Sequence, residues 1–350
     1  MSMNYKQLLQ HANERLFIIA EAGVNHNGDV NTALRLVDAA VEAGCDAIKF
    51  QTWITEKVYS VSRSVKPEYQ ARTTDASESE FAIIKKLELS FSNFGTLKKY
   101  CEERGILFFS TPDEIESANF LASLGVSLMK TGSQDVTNLP FLRQISALGV
   151  PVIFSTGACT MTELAEGVEA ISESTKEVFL LHCVSSYPAP IDQMNLSVIP
   201  TLKAAFGLPV GLSDHTTGAF VACAALPLGA RIFEKHITLD KNMAGPDHQA
   251  SLDPSEMREY CSTLRGVYRG IGTGIKQIMP CELDARNAFR RFVVAGNDIK
   301  AGSVLSVGDL EFKKVVDGIP PKYLDMLLGR KVRCDIKADT PIEWQMISND

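Results

Sequence analysis

The sequence predicts an α/β protein: a (β/α)8 barrel followed by a small β-rich domain. Three observations carry this. A strand-then-helix rhythm repeats eight times before residue 270, polar residues gather where the strand-like runs end, and the texture turns to short strands and turns after Arg290. Eight such units fit a closed barrel better than an open sheet.

The strand-like runs are Phe17–Glu21, Ala47–Gln51, Ile106–Thr111, Val126–Lys130, Val152–Thr156, Val178–Cys183, Val210–Ser213 and Arg231–His236. Amphipathic helical stretches follow most of them: Asn31–Ala43, Asp113–Leu124, Leu139–Leu148, Met161–Ser172, Ser197–Ala205, Thr217–Leu228 and Pro254–Tyr268. Thr111-Pro-Asp113 and Asp253-Pro254 are helix-start signals, and Gly44, Gly105, Gly125, Gly149 and Gly229 stand where a helix-ending glycine belongs. The second unit carries a long insertion, roughly Thr52 to Ser90, that reads as a lid or an extra helical segment. Beyond Arg290 the runs Phe292–Ala295, Ile299–Gly302, Leu310–Val316, Lys331–Ile336 and Pro341-Ile342 form a β-rich unit too small for a comfortable core of its own.

Composition bounds the function. Hydrophobic residues are 45% and charged residues 22%, which is ordinary for a globular protein, and 350 residues suffice for two domains. The net charge of −7 offers no basic patch for nucleic acid or an anionic membrane. No apolar run approaches the roughly 18 residues of a spanning helix, and the polar start at Met1–Arg15 has no secretory core. Eight cysteines without a CxxC pair read as reduced, buried, structural thiols, so a cytoplasmic protein is expected.

A barrel of this kind puts its chemistry at the C-terminal ends of its strands. Glu21, Lys49, Gln51, Ser110, Thr111, Lys130, Ser133, Ser155, Thr156, His182, Ser213, His215, Glu234 and His236 all fall there. Residues two apart in a strand share a face, so Lys49 with Gln51, and Glu234 with His236, are expected to point inward together. Lys49 and Lys130, with Thr111, Ser133, Ser155 and Ser213, suit a phosphate cradle of charge and directed hydroxyls. The plainer reading of either lysine is a buried pair with Glu21 or Glu234. His215 and His236 close two neighbouring apolar runs and suit one divalent metal with positions left open, the alternative being two core histidines. Asp247 and His248 lie in a Gly245-Pro-Asp-His248 turn expected to be exposed at the barrel mouth, and such a turn is often only a turn. His182, inside an apolar run, reads as a core histidine. The loop Glu21–Gly28 leads to a helix capped by Asp29 or Asn31 and is a weak phosphate motif.

Taken together, the motifs resemble the sialic acid synthase family, whose members condense phosphoenolpyruvate with N-acetylated amino sugars to give nonulosonic acids. The markers are Ile19-Ala-Glu-Ala-Gly-Val-Asn-His-Asn-Gly28, Ile48-Lys-Phe-Gln51, Phe109-Ser-Thr-Pro112, Lys130-Thr-Gly-Ser133 and Phe154-Ser-Thr-Gly157. They continue with Leu181-His-Cys183, Tyr187-Pro188, Gly211-Leu-Ser-Asp-His-Thr216, Glu234-Lys-His236 and Gly245-Pro-Asp-His248. The resemblance covers nearly the whole chain. Its tail, from about Phe289, is similar to the family's antifreeze-like (SAF) domain, a β-clip fold. It implies a barrel over 1–270, a linker over 271–288 and a SAF domain over 289–350. It further implies a homodimer in which each SAF domain reaches over the partner's barrel mouth.

The resemblance assigns phosphoenolpyruvate to Lys49, Thr111, Lys130, Ser133, Ser155, Ser185 and Ser213. It assigns Mn2+, with Mg2+ or Co2+ as substitutes, to His215 and His236. Glu21, Gln51, Tyr187 and Asp247 would meet the open-chain sugar or the metal's water, with Glu21 and Asp247 as the catalytic carboxylates. Two sugar positions depart from members acting on N-acetylmannosamine. Asp135 in Gln134-Asp135 stands where those members have a glutamate, one methylene longer, and Lys314 in Lys313–Val316 stands where they have an arginine. A lysine does not reproduce arginine's planar fork. N,N'-diacetyllegionaminate synthesis from a diacetamido sugar is therefore the alternative product reading, and a Schiff-base pyruvate aldolase using Lys49 or Lys130 is the alternative mechanism.

Overall fold

Eight parallel strands close into a barrel in chain order: β1 (Phe17–Gly23), β2 (Ala47–Thr52), β3 (Leu107–Pro112), β4 (Met129–Thr131), β5 (Val152–Ser155), β6 (Val178–Cys183), β7 (Val210–Asp214) and β8 (Ile232–His236). The last strand returns to the first, with Glu21 opposite His236. The structure, a computed structural model, describes residues 3–62 and 78–348. It divides into two units, Met1–Gly272 and Thr273–Asp350.

Strand alternation explains why this barrel has an oily floor and a polar mouth. On β1, Phe17 and Ile19 face the interior and Glu21 follows on the same face. Ala47 gives way to Lys49 and Gln51 on β2, Leu107 and Phe109 to Thr111 on β3, and Ile232 to Glu234 and His236 on β8. The apolar members form one buried interior cluster with Leu128, Ile153, Phe179 and Leu181. Ile18, Ala20 and Ala22 face the other way, into the layer between strands and helices. Gly211 on β7 is required by close approach: a Cβ there would lie 2.2 Å from the Ile232 carbonyl oxygen and 2.7 Å from Leu181 Cδ2.

The floor is plugged by a helix that the sequence reading left out, Tyr5–Arg15. Asn4 and Gln7 form a reciprocal capping box at its start, and Leu8 and Ala12 join the interior cluster. Only these two positions of the helix are buried, so it carries little apolar period to read. The outer helices Val30–Ala43, Ile115–Ser123, Leu139–Ser146, Met161–Ser172, Val198–Phe206, Phe220–Ala225 and Pro254–Ile271 answer to the expected stretches, and Phe91–Arg104 is an addition. The largest contraction is Thr217–Leu228, of which only Phe220–Ala225 is helical. Asp29 is the N-cap of its helix, accepting from the Asn31 and Thr32 backbone amides. The long insertion contributes Thr55–Val58 and Glu80–Leu87, and its residues 63–77 lie outside the described residues.

The second unit pairs β9 (Arg291–Ala295) with β10 (Leu310–Lys314) in antiparallel register. Single bridges such as Ile299 with Ile336 and Val332 with Ile347 replace the longer strands expected from sequence. Its own core includes Val293, Leu305, Ile319, Leu327 and Ile342. The stretch expected to be a plain linker contains a helix, Leu283–Phe289. All eight cysteines are free, but Cys281 and Cys334 are exposed, contrary to the expectation that the thiols are buried. No helix among the described residues is long and apolar enough to cross a membrane.

Candidate active site

The strand ends surround a cavity of about 580 Å³, a volume typical of small-molecule sites. Its floor is a buried charge network. Lys49 Nζ lies 2.8 Å from Glu21 Oε2 and 3.8 Å from Glu234 Oε2, and it donates to Thr111 Oγ1 at 3.0 Å. Lys130 Nζ donates to Glu234 Oε1 at 3.0 Å, as does Ser213 Oγ at 2.9 Å. Gln51 Nε2 donates to Glu21 Oε1 at 3.3 Å. Both lysines thus make the buried pairs offered as the plainer reading, and both still line the cavity.

The two carboxyls respond oppositely. Burial pushes Glu21 well above the usual carboxylate range; Lys49 offsets this only in part, and the Glu234 charge adds to it. Burial acts the same way on Glu234, but Lys130 and Lys49 together prevail and hold it low. Burial opposes the charge on Lys130, yet Glu234 and Glu21 outweigh it and raise that ammonium. Lys130 is accordingly a fixed cation. Ser155 Oγ is buried without a hydrogen-bond partner, a donor free to meet a ligand oxygen.

Across the cavity, the His215 and His236 rings lie 5.5 Å apart, and the Tyr187 ring is 4.2 Å from His215. His215 Nδ1 is held by the Val184 carbonyl oxygen at 2.9 Å, the kind of outer contact that orients a metal-binding imidazole. Burial, aided by the His215 charge, keeps His236 well below its ordinary value and so neutral, whereas His215, although burial opposes its charge, is raised by the neighbouring Cys183. His236 Nδ1 and Asp247 Oδ1 are buried and unpartnered, and Asp247 Oδ2 stands 4.0 Å from that nitrogen. Burial also raises Asp247 to about 6. Unsatisfied buried donors and acceptors facing one another fit a bridging ion or water. Among the described residues, no three His, Cys, Asp or Glu side chains form a group that could hold a metal ion.

Of the residues to which the resemblance gave a role, Glu21, Lys49, Gln51, Thr111, Lys130, Ser133, Ser155, Ser185, Tyr187, Ser213, His215 and His236 line this one cavity, as does Glu234. Three do not. Asp247 adjoins His236 from outside the lining. Asp135 is buried in the 3-10 turn Ser133–Asp135, where it accepts from Asn138 Nδ2 at 3.2 Å, and the turn presents Gln134 to the cavity instead. Lys314 ends β10 in the second unit, its ammonium 4.9 Å from the centre of the Phe289 ring. The Gly245–His248 turn is not exposed as expected: His248 is fully buried, bonding Thr238 Oγ1 at 2.7 Å and Asn27 Oδ1 at 3.1 Å. His182 is the core histidine expected, bonded to the Met194 carbonyl at 2.7 Å. The lining residues missed by the sequence reading include Gln134, Glu163 and Cys183; Gln134 donates to Asp113 Oδ1 at 3.3 Å. Strand alternation alone would have put Cys183 inward, two residues after Leu181.

The NeuB family model matches residues 36–276, and the SAF domain model matches residues 290–348. The N,N'-diacetyllegionaminic acid synthase of Campylobacter jejuni is 39% identical over 93% of this chain and 98% of its own. The N-acetylneuraminate-9-phosphate synthase of Homo sapiens is 34% identical over 95% of this chain and 93% of its own. Among solved structures, the N-acetylneuraminic acid (sialic acid) synthetase of Leptospira borgpetersenii serovar Hardjo-bovis, in complex with citrate, aligns with a TM-score of 0.69 at 34% identity. That alignment covers 79% of this chain and 93% of the other.

Proposed function

Because the chain belongs to the NeuB family and ends in a SAF domain, we propose that it is a nonulosonate synthase, joining phosphoenolpyruvate to an open-chain N-acetylated amino sugar with release of phosphate. The observation that carries this reading is one cavity holding two carboxylate-paired lysines, a row of hydroxyls and a pair of imidazoles. Lys49 and Lys130 suit the anionic groups of phosphoenolpyruvate. Thr111, Ser133, Ser155, Ser185 and Ser213 supply directed hydrogen bonds to its oxygens. His215 and His236 would hold a divalent metal, most simply Mn2+, which supplies Lewis-acid polarisation of the sugar aldehyde.

Carbon 3 of phosphoenolpyruvate forms the new bond to the aldehyde carbon, and the aldehyde oxygen takes up a proton. Water adds at carbon 2 and loses a proton, and the tetrahedral intermediate expels phosphate, the proton of its C2 hydroxyl leaving with the phosphate, to give a 2-keto acid. Protons therefore move onto the aldehyde oxygen and off the attacking water, and Glu21 in the cavity and Asp247 beside His236, both raised by burial, are the carboxyls suited to carry them. The ammonium charges of Lys49 and Lys130 offset phosphate charge throughout. A Schiff base needs a lysine poised to lose its proton, and the Glu234 partner holds Lys130 the other way.

Gln51 and Tyr187 are the sugar-binding groups in this reading, with Lys314 as a position that sets which sugar is taken; Asp135, turned onto Asn138, acts only through the turn that presents Gln134 to the cavity. A homodimer with exchanged C-terminal domains would bring the partner's copy of Lys314 to the cavity. The free thiols suit a reducing compartment, the cytoplasm. The 39% identity to a legionaminic acid synthase favours a diacetamido-trideoxy sugar as the second substrate reading. Phosphate release from phosphoenolpyruvate with Mn2+ tests both, comparing N-acetylmannosamine with 2,4-diacetamido-2,4,6-trideoxymannose. Release with the first gives a sialic acid synthase, and release with the second alone gives a legionaminate-type enzyme. Release with neither rejects the proposal.

A further inference from the structure

Behind the two imidazoles, on the outward face, lies a further buried ion pair. Asp214 and Lys235 are direct neighbours in the β7–β8 register, one residue before His215 and His236 respectively. Their side chains are 0% and 1% exposed, and Lys235 Nζ lies 3.0 Å from Asp214 Oδ2. Alternation puts them between barrel and helices while Ser213, Glu234 and the histidines face the cavity. Nothing in the reaction requires a buried charge pair there, and taking both charges out of water is costly.

Its contacts indicate its use. Asp214 Oδ1 accepts from the Thr216 backbone amide at 2.9 Å and from Thr216 Oγ1 at 2.7 Å, closing a tight turn with His215 at its apex. Lys235 donates to the Thr216 carbonyl oxygen, and its ammonium stands 5.6 Å from the centre of the buried Tyr260 ring. The turn carrying one imidazole is thus tied to the strand carrying the other.

We propose that Asp214 and Lys235 are positioning residues, a buried clasp that fixes His215 and His236 relative to each other for metal binding. The inference rests on reading the two histidines as metal ligands. Loss of a supporting contact at a metal site commonly weakens affinity by about 10–100-fold.

The test is Mn2+ binding by the full chain, followed through the free-ion signal in electron paramagnetic resonance. Phosphoenolpyruvate binding by calorimetry and thermal unfolding are measured alongside. Lys235→Met strands the Asp214 charge and is expected to destabilise the fold. The double variant Lys235→Met, Asp214→Asn removes both charges, keeps an acceptor for Thr216, and is expected to recover much of that loss. The clasp predicts Mn2+ binding weakened about tenfold or more in the double variant, with phosphoenolpyruvate affinity within about threefold of the parent. A folded double variant that binds Mn2+ as tightly as the parent overturns the clasp and leaves the metal reading standing. A parent protein that binds no Mn2+ overturns the metal reading and the clasp with it.

Discussion

At the barrel mouth, the Glu21 side, on β1 and β2, and the Glu234 side, on β8 with Lys130 from β4, are built from the same parts, a buried carboxylate and a lysine, yet they hold charge differently. Glu21 has Lys49 at 2.8 Å and the Gln51 amide, and burial keeps its proton within reach. Glu234 has Lys130 at 3.0 Å, Lys49 at 3.8 Å and the Ser213 hydroxyl, and it stays ionised. Both lysines act on both carboxyls, so the balance of charge and hydrogen bonds explains the difference. At Glu21 burial and the Glu234 charge outweigh Lys49 and the weaker pull of Lys130, whereas at Glu234 the two lysines and the Ser213 hydroxyl exceed the desolvation. In the proposed reaction, two carboxyls pushed apart in this way would divide the labour of the site, one as a fixed anion that anchors the lysines and the other as a proton carrier.

Isosteric changes on the two sides should therefore separate. Glu234→Gln leaves two buried lysines short of a counter-charge and should cost about 3–5 kcal/mol of stability, measured by urea unfolding. Glu21→Gln should leave stability within about 1 kcal/mol of the parent. It should lower kcat by about 10²–10⁴-fold with little change in the KM for phosphoenolpyruvate. Equal stability losses in the two variants would erase the distinction between the sides. Lys49→Ala removes charge-assisted contacts and should raise the KM for phosphoenolpyruvate about 10-fold or more, with a smaller change for the sugar. Thr111→Val, which takes one neutral acceptor from Lys49, should be mildest, at about 1 kcal/mol in kcat/KM.

Much of this site was legible in the sequence because strand alternation is strict. Once Ala47–Gln51 reads as a strand, Lys49 and Gln51 must share a face, and the same step pairs Glu234 with His236. The plainer pairing of the lysines with Glu21 and Glu234 was legible too, since few buried carboxylates stand at the same level. Features off the strands were harder. The helix Tyr5–Arg15 buries only Leu8 and Ala12, too few to mark a period. His248 was expected to be exposed at the barrel mouth because Gly-Pro-Asp is turn chemistry; it is instead buried and bonded to Asn27, which is 221 residues away in the chain. Asp135 was placed at the sugar by motif position, but the 3-10 turn directs Gln134 to the cavity and folds the carboxylate back onto Asn138. Local conformation that depends on distant partners leaves no trace in a short window.

The most direct test is a change of donor. The protein is incubated with an N-acetylated amino sugar and Mn2+, with either phosphoenolpyruvate or pyruvate, and the products are weighed by mass spectrometry. The synthase reading predicts a 2-keto acid equal in mass to sugar plus pyruvate, formed with phosphate only from phosphoenolpyruvate and lost on chelation. Formation of the same acid from pyruvate, with borohydride trapping the substrate on Lys49 or Lys130, would contradict it and make the protein a Schiff-base aldolase.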